Sequence, residues 1–469
     1  MSTPLTVYNS VNAYSDGKRA WQLGLLVDIG STFTKTLILD GQANIVGQAQ
    51  ARTSIETDVL DGVLGALDSL PTGRGPYDWA LCSSSAAGGL RMASVGLTAA
   101  LSGRAGTLSA LGAGAKVVCT EHGLLSKEAI GRIEASSPHL VLLAGGIDGG
   151  NAQALLTNAE RLSALQTPFG YIVAGNVDAS EAAAEILRGA SADGRDVMTV
   201  DNVFPRPGEI NITPTREVVR ELFLRHITKA KGLDELMTLL KVEIEPTPLA
   251  VSRAVSYIGD QSSPVVFVDL GGATTDVHSL GGQRAETRNA EIPSPEVMRT
   301  VEGDLGMRWG APGILDAMGV ERIAEVNKKT GGDIETEAQR RRDDPGFVPL
   351  DEHDRRVDNA LAVAAVTIAI ERHAGRVVVK HQPWGDRYQV IGKDLRKTQI
   401  LISTGGAFRH VADPVQVVTD ALADIEDVQA PAAPTIAIDS KYLLYAIGLA
   451  ARVWPSLASQ IATHVLGDN

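Results

Sequence analysis

The chain has 469 residues, a formal net charge of −13 at pH 7 and 44% hydrophobic residues. This length exceeds what one hydrophobic core usually supports and predicts about two to four domains. The negative charge argues against nucleic acid or an anionic membrane as the main partner. Cys82 and Cys119 form no metal-binding pattern, residues 1–20 lack an apolar signal segment, and the longest apolar run, residues 360–370, is too short to span a bilayer. We therefore expect a cytoplasmic protein.

The first strongly patterned stretch follows an N-terminal arm of residues 1–22, which we expect to be flexible. Residues 25–40 read LLVDIGSTFTKTLILD, in which an apolar strand ends at Asp28, Gly30 supplies a bend and a second strand returns. This pattern predicts a β-hairpin. A turn of small residues presents backbone N–H groups that can cradle phosphate. The candidate nucleotide-binding residues are Asp28, Gly30, Ser31, Thr32 and Lys35. Because a carboxylate repels phosphate, we expect Asp28 to hold Mg²⁺ through water.

The next segments predict a first lobe at residues 23–111 and an inserted subdomain at residues 112–205. Ser83–Met92 (SSSAAGGLRM) reads as a small-residue turn between a strand and a helix. From residue 116, strands alternate with helical patterns, which predicts βαβ crossovers and a parallel sheet. Residues 206–264 read as connecting helices.

A second copy of the hairpin follows at residues 265–280, which read VVFVDLGGATTDVHSL. Again a β-branched strand ends in an aspartate, Asp269, and small residues follow, here Gly271, Gly272 and Thr274. Alone, either stretch is more typical of an ordinary core hairpin. The duplication favours two hairpins that face each other and clamp the phosphates of one nucleotide and its metal.

The rest of the chain predicts a second lobe at residues 265–429 and a linker with a closing helix at residues 430–469. The lobe carries a charged insertion near residues 328–358, which we expect to be a solvated helix and loop. A later strand runs into a small-residue turn at Thr404, Gly405 and Gly406.

The order of these motifs resembles the actin, sugar-kinase and heat-shock-chaperone ATPase superfamily. The resemblance implies an α/β, actin-like (ribonuclease H-like), two-lobed ATPase fold with an inserted α/β subdomain. It implies that the two hairpins are phosphate loops and that Thr404, Gly405 and Gly406 contact the adenosine. Glu245, in the sequence Glu245-Pro246-Thr247, resembles the connecting-segment glutamate of the chaperone ATPases. The resemblance therefore implies catalytic roles for Glu245 and Asp269, with Asp28 and Asp269 holding Mg²⁺ through water.

A narrower resemblance is carried by Ser83–Met92, LLAGGIDGGN (142–151), AGNVD (174–178), EGDLGMR (302–308) and ISTGGAFRH (402–410). These stretches are similar to the glutamate mutase accessory proteins called MutL or GlmL, which are unrelated to the mismatch-repair protein of that name. The resemblance implies an ATP-binding and ATP-hydrolysing chaperone or reactivating factor for an adenosylcobalamin-dependent mutase, with ATP and Mg as cofactors and mutase subunits as partners. Self-association into a homo-oligomer is also compatible with the sequence.

The alternative is a small-molecule, sugar-type kinase that uses the same ATP clamp. A kinase needs a base beside the substrate hydroxyl. Outside the nucleotide motifs, Asp148 and Asp178 are the candidates for that base.

Overall fold

The computed structural model describes residues 4–15, 18–30, 33–53, 58–85, 90–165, 170–189, 196–227, 232–259, 264–282, 294–326, 334–382 and 385–467. The chain divides into two units, one of residues 1–254 and 445–461 and the other of residues 255–444 and 462–469.

The strands are β1 (Leu23–Ile29), β2 (Phe33–Asp40), β3 (Ile45–Arg52), β4 (Trp79–Ser84), β5 (Arg91–Gly96), β6 (Lys116–His122), β7 (Leu140–Leu143), β8 (Gly170–Val173), β9 (Asp196–Thr199), β10 (Ile244–Pro246), β11 (Val265–Leu270), β12 (Thr275–Leu280), β13 (Val297–Glu302), β14 (Arg376–Gln382), β15 (Gly385–Ile391), β16 (Ile400–Thr404) and β17 (Thr435–Ile438). The helices are α1 (Val59–Asp68), α2 (Arg104–Gly112), α3 (Lys127–Ala135), α4 (Gln153–Leu162), α5 (Val177–Gly189), α6 (Thr213–Ile227), α7 (Leu233–Leu240), α8 (Thr247–Ile258), α9 (Ala311–Met318), α10 (Val320–Val326), α11 (Ile334–Asp343), α12 (Glu352–His373), α13 (Pro414–Ala423), α14 (Leu444–Val453) and α15 (Pro455–Leu466).

The first unit contains a five-stranded sheet in the order β10-β4-β1-β2-β3. Strands β1, β2 and β3 form an antiparallel meander, and β4 and β10 continue the sheet parallel to β1. Leu25, Leu26 and Val27 of β1 are fully buried. A continuous apolar run of this kind is typical of a strand covered on both faces.

The second unit repeats this arrangement in the order β13-β12-β11-β16-β17. Strand β11 pairs antiparallel with β12 and parallel with β16, and β17 extends the sheet parallel to β16. In both sheets the strands therefore run 3-2-1-4-5, with only the second strand reversed. This is the ribonuclease H-like arrangement, and its duplication in one chain confirms the predicted actin-like α/β fold.

A third five-stranded sheet lies within the first unit, in the order β6-β5-β7-β8-β9, with all its strands parallel. Its first strand, β5, lies upstream of the predicted subdomain boundary at residue 112. The expected strand-to-helix turn at Ser83–Met92 is wrong in its second half, since Arg91 begins a strand (residues 86–89 lie outside the described residues). β5 lies between β6 and β7 and is almost fully buried, so pairing on both edges outweighs its small-residue composition.

The charged insertion is not simply solvated. Arg341 of α11 is fully buried, and its Nε lies 2.6 Å from Oδ1 of the buried Asp358 on α12. The predicted solvated surface is therefore wrong at this position, because a carboxylate distant in sequence neutralises the arginine. Among the helices the structure describes, none is both long and apolar enough to cross a membrane.

Candidate functional site

The first candidate loop is organised around Asp28, the next-to-last residue of β1. The strand register places Lys35 opposite Asp28 on β2 and Ser83 opposite it on β4. The buried Asp28 carboxylate accepts hydrogen bonds on Oδ1 from Ser83 Oγ, at 2.9 Å, and from Thr247 Oγ1, at 2.6 Å. Lys35 Nζ lies 3.6 Å from Asp28 Oδ2. Asp28 is thus fixed by two hydroxyls and one ammonium group.

Gly30 closes the turn of this hairpin. Its N–H donates to the Phe33 carbonyl oxygen at 3.0 Å. A Cβ at Gly30 would lie 2.6 Å from the same oxygen, so a larger residue would force the turn open. The two predicted hydroxyl donors of this turn, Ser31 and Thr32, lie outside the described residues.

Glu245 lies on the neighbouring edge strand β10, in register with Ser83. Its buried carboxylate accepts a hydrogen bond from Arg253 Nη1 at 2.9 Å on Oε2 and another from Arg452 Nη1 on Oε1. Burial raises the pKa of Glu245, but the two arginines outweigh it, so the net pKa lies below its ordinary value. The carboxylate is therefore charged at neutral pH.

The second candidate loop begins at Asp269, the next-to-last residue of β11. Asp269 is in register with Asp276 on β12 and with Thr404 on β16. The Gly271 N–H donates to the Thr274 carbonyl oxygen at 2.9 Å, and so closes the turn as Gly30 does in the first hairpin. Thr274 Oγ1 donates to Asp276 Oδ2 at 3.2 Å. Outside the hairpin, the N–H of Arg308 donates to the Gly272 carbonyl oxygen at 2.8 Å.

The predicted adenosine turn follows β16 and therefore leaves the sheet beside Asp269. Gly405 has φ +112°, and a Cβ there would lie 2.2 Å from the Leu270 carbonyl oxygen, so only glycine fits. Gly406 is exposed, and the nearest atom to an added Cβ is Tyr442 Oη, at 3.8 Å. Gly406 thus leaves open space where the turn meets solvent.

Thr404 is hydrogen-bonded to an aspartate, Asp439, whose place in the second sheet matches that of Glu245 in the first. Its Oγ1 donates to Asp439 Oδ2 at 3.2 Å, and Asp439 also accepts the N–H groups of Leu443 and Leu444 at the start of α14. Ser403 is in register with Ile438, so Asp439 follows β17 at the position that Glu245 occupies on β10. Each sheet therefore carries one acidic residue on its first strand and another on, or directly after, its fifth.

Sequence reasoning missed several residues of these sites, namely Ser83, Arg253, Arg299 and Arg452. Arg299 Nη2, on β13, lies 2.6 Å from Asp276 Oδ1, on the neighbouring strand β12. Arg452 is 207 residues from Glu245 along the chain, and no local pattern marks that pairing. Ser83 begins the small-residue stretch Ser83–Met92, which the sequence places directly after a strand. That position was the available signal.

Two ribonuclease H-like sheets, each with an aspartate before a glycine turn on its first hairpin, define a protein with the fold of the actin-like ATPases and sugar kinases. Comparison of the sequence with known protein families assigns the chain to one family within this fold. The family model described as MutL protein matches residues 24–466. Protein MutL of Clostridium tetanomorphum is 34% identical over 458 residues, which cover 94% of this chain and 98% of that protein. The chain belongs to the MutL protein family.

Solved structures are more distant. The activator of the 2-hydroxyisocaproyl-CoA dehydratase from Clostridium difficile is 12% identical, with a TM-score of 0.30 and coverage of 95% of this chain and 98% of that one. A ROK family glucokinase from Streptomyces griseus is 10% identical, with a TM-score of 0.32 and coverage of 92% and 98%. These scores are too low for the likenesses to support a function.

Proposed function

We propose that this protein binds ATP with Mg²⁺, hydrolyses it, and uses the resulting change of state to reactivate an adenosylcobalamin-dependent mutase. The observation that supports this most strongly is the duplication: Asp28 and Asp269 occupy the same position in two sheets of the same topology, each before a glycine turn. In the proposal, each of the two loops takes part in binding ATP.

The residues around Asp28 fit an outer-sphere metal site. Mg²⁺ keeps several waters and uses only one or two carboxylates besides the phosphates. The two hydroxyls on Oδ1 of Asp28 and the nearby Lys35 leave this carboxylate suited to bind a metal-bound water rather than the ion itself. Asp269, which is half-buried, is the second proposed carboxylate. When bound, Mg²⁺ would neutralise phosphate charge, and Lys35 would add a fixed positive charge.

Glu245 is proposed to orient the attacking water. A carboxylate accepts about four hydrogen bonds, so the contacts with Arg253 and Arg452 do not by themselves exclude a water. They hold the carboxylate in place and keep it ionised, which a positioning base requires.

The kinase alternative finds less support in the positions of its two candidate bases. Asp148 Oδ1 accepts the Val177 N–H at 3.0 Å and Asn202 Nδ2 at 2.8 Å, and Asp178 Oδ2 accepts the Gly149 N–H at 3.1 Å. Asp148 thus links the loop after β7 to the start of α5 and to the segment after β9, and Asp178 links the first turn of α5 to the loop after β7. A hydrogen-bonding role in the loops accounts for both aspartates without a substrate.

The mutase role rests on family membership and is tested by reactivation. A mutase inactivated with hydroxocobalamin should regain activity when this protein, ATP, Mg²⁺ and fresh adenosylcobalamin are added. A non-hydrolysable ATP analogue should not support repeated reactivation. If the protein instead phosphorylates a small metabolite and restores no mutase encoded in the same genome, the kinase reading replaces this one.

A further inference from the structure

Three large apolar side chains are exposed on two neighbouring segments of the second unit. Trp309 is 58% exposed, Val348 is 44% exposed and Leu350 is 81% exposed. The segments meet where Arg308 Nε donates to the Phe347 carbonyl oxygen at 3.0 Å, one residue from Trp309 and one from Val348. We call these three side chains the Trp309 surface. An exposed tryptophan on a segment that adjoins further exposed apolar side chains is typical of a protein-binding surface, because tryptophan is enriched among the residues that dominate binding.

The Trp309 surface is supported by a buried ionic framework. Arg308 Nη2 lies 3.0 Å from Asp358 Oδ2, and Arg341 binds the other oxygen of the same carboxylate. The guanidinium carbons of Arg308, Arg340 and Arg341 lie 5.4, 4.6 and 4.7 Å from the centroid of the Phe347 ring. These contacts hold Arg308 and Phe347, the residues next to Trp309 and Val348, and so reduce the conformational entropy that this part of the backbone loses when a partner binds.

The same segment is bonded directly to the second candidate phosphate loop. The N–H groups of Met307 and Arg308 donate to the carbonyl oxygens of Gly271 and Gly272, at 3.0 and 2.8 Å. Gly306 packs so closely on Ala273 that an added Cβ would lie 2.2 Å from its carbonyl carbon. A shift of the Gly271–Gly272 backbone would therefore either break these hydrogen bonds or move the residues beside Trp309.

The charges next to the surface indicate the chemistry of its partner. Exposed acidic side chains flank Val348 and Leu350 on both sides, at Asp343, Asp344, Asp351 and Glu352, against two exposed arginines, Arg340 and Arg342. Arg340 Nη1 lies 3.0 Å from Asp354 Oδ1, so its charge is already paired. Complementary charge steers association and excludes unsuitable partners. The matching surface is an apolar pocket with lysine or arginine side chains at its rim.

We propose that the Trp309 surface is the nucleotide-dependent docking site for the mutase, which presents such a basic-rimmed apolar pocket. This inference rests on the proposed function and adds to it the surface and the route by which nucleotide state reaches the partner. A partner can respond to the nucleotide only if one nucleotide state binds it better than the other.

The test uses full-length protein with the variants Trp309→Ala and Leu350→Ser, and Val415→Ser as matched control, because Val415 is a 42% exposed valine elsewhere in the second unit. Purified holo-forms of the adenosylcobalamin-dependent mutases encoded in the same genome are the probes. Affinity is measured in ATP and in ADP, alongside ATP affinity by calorimetry. We expect both variants to bind the mutase about tenfold or more weakly, with ATP affinity unchanged, and Val415→Ser to match the wild type. Asp343→Lys with Asp344→Lys should weaken binding in a salt-dependent manner.

Four results would overturn the inference, and the last of them removes the proposed function as well. If the wild type binds and reactivates the mutase and the two variants do so equally well, the docking site is elsewhere and the proposed function stands. If Trp309→Ala loses ATP affinity, Trp309 belongs to the nucleotide site. If sedimentation shows a wild-type dimer that dissociates in both variants, the occupant is a second copy of this chain. A wild type that binds no mutase removes the proposed function itself.

Discussion

Asp28 and Asp269 are each the next-to-last residue of the first strand in a five-stranded sheet, and each is paired in register with a hydroxyl residue on the fourth strand, Ser83 and Thr404 respectively. The two hydroxyls have different partners. Ser83 donates to Asp28 itself, whereas Thr404 donates to Asp439 beyond the fifth strand. The first sheet therefore fixes its aspartate by a hydrogen bond from the fourth strand, whereas the second sheet links its fourth strand to Asp439, which also accepts N–H groups at the start of α14.

Substitutions at the two glycines of the candidate adenosine turn should have different effects, one on ATP affinity and the other on the stability of the fold. Gly406→Val should fold normally, because an added Cβ there has no close neighbour, and should bind ATP weakly, because the side chain fills space needed by the base or ribose. Gly405→Ala should instead lower the free energy of unfolding by about 1–3 kcal/mol, since its φ of +112° strains any side chain. Calorimetry with ATP and urea denaturation measure the two effects. Unchanged ATP affinity in Gly406→Val would refute the adenosine assignment.

Removing the charge of Glu245 should slow hydrolysis without preventing nucleotide binding. We expect Glu245→Gln to reduce the single-turnover rate by about 10²–10⁴-fold, the usual loss for a positioning or acid–base group. Glu243→Gln is the matched control, since the exposed Glu243 also contacts Arg452, at 3.5 Å. Equal rates for Glu245→Gln and the parent would show that another residue orients the water.

Lys393 should make stability depend on pH. It is 1% exposed and donates to the carbonyl oxygens of Ser279 and Glu296. Burial lowers the pKa of Lys393 to about 7 in the folded protein, from 10.5. Between these values the unfolded chain binds the extra proton, so the stability of the wild type should rise with pH from about 7 to about 10 relative to Lys393→Met. Denaturation in guanidinium at several pH values measures this difference. A difference that stays flat or falls with pH would contradict the buried, neutral lysine.

Close packing of two helices should make Gly448 intolerant of substitution. A Cβ at Gly448 of α14 would lie 1.7 Å from the Ala250 carbonyl oxygen of α8, so the helices must separate to admit it. We expect Gly448→Ala to destabilise the protein by about 1–3 kcal/mol. Gly131→Ala is the control: it lies within α3 with nothing near the added methyl, and should stabilise by up to about 1 kcal/mol. Comparable urea midpoints for the two variants would show that the helix contact is absent in solution.

The sequence was sufficient for the duplicated hairpins because their strand, aspartate and glycine pattern is local. The sequence could not predict contacts between residues that lie far apart along the chain. The Arg452 contact with Glu245 depends on how α14 packs beside β10, and the Arg341 contact with Asp358 depends on how α11 packs on α12. The periodicity of the sequence encodes neither arrangement. Strand β5 was missed for the same reason, since its neighbours β6 and β7 decide its conformation. Ser83 could be predicted in part. The stretch Ser83–Met92 is conspicuous for its small residues, but the hydrogen bond from Ser83 to Asp28 depends on the register of β1 and β4.

The most direct test of the proposed nucleotide-binding role of both loops is calorimetric titration of Asp28→Asn and Asp269→Asn with ATP in the presence of Mg²⁺. Asparagine keeps the size of each side chain and removes its charge. Both changes should weaken Mg²⁺-dependent ATP binding by about tenfold or more, and the wild type should bind one ATP per chain. ATP affinity that remains at the wild-type level in either variant would show that the loop carrying the substituted aspartate takes no part in binding the nucleotide and its metal.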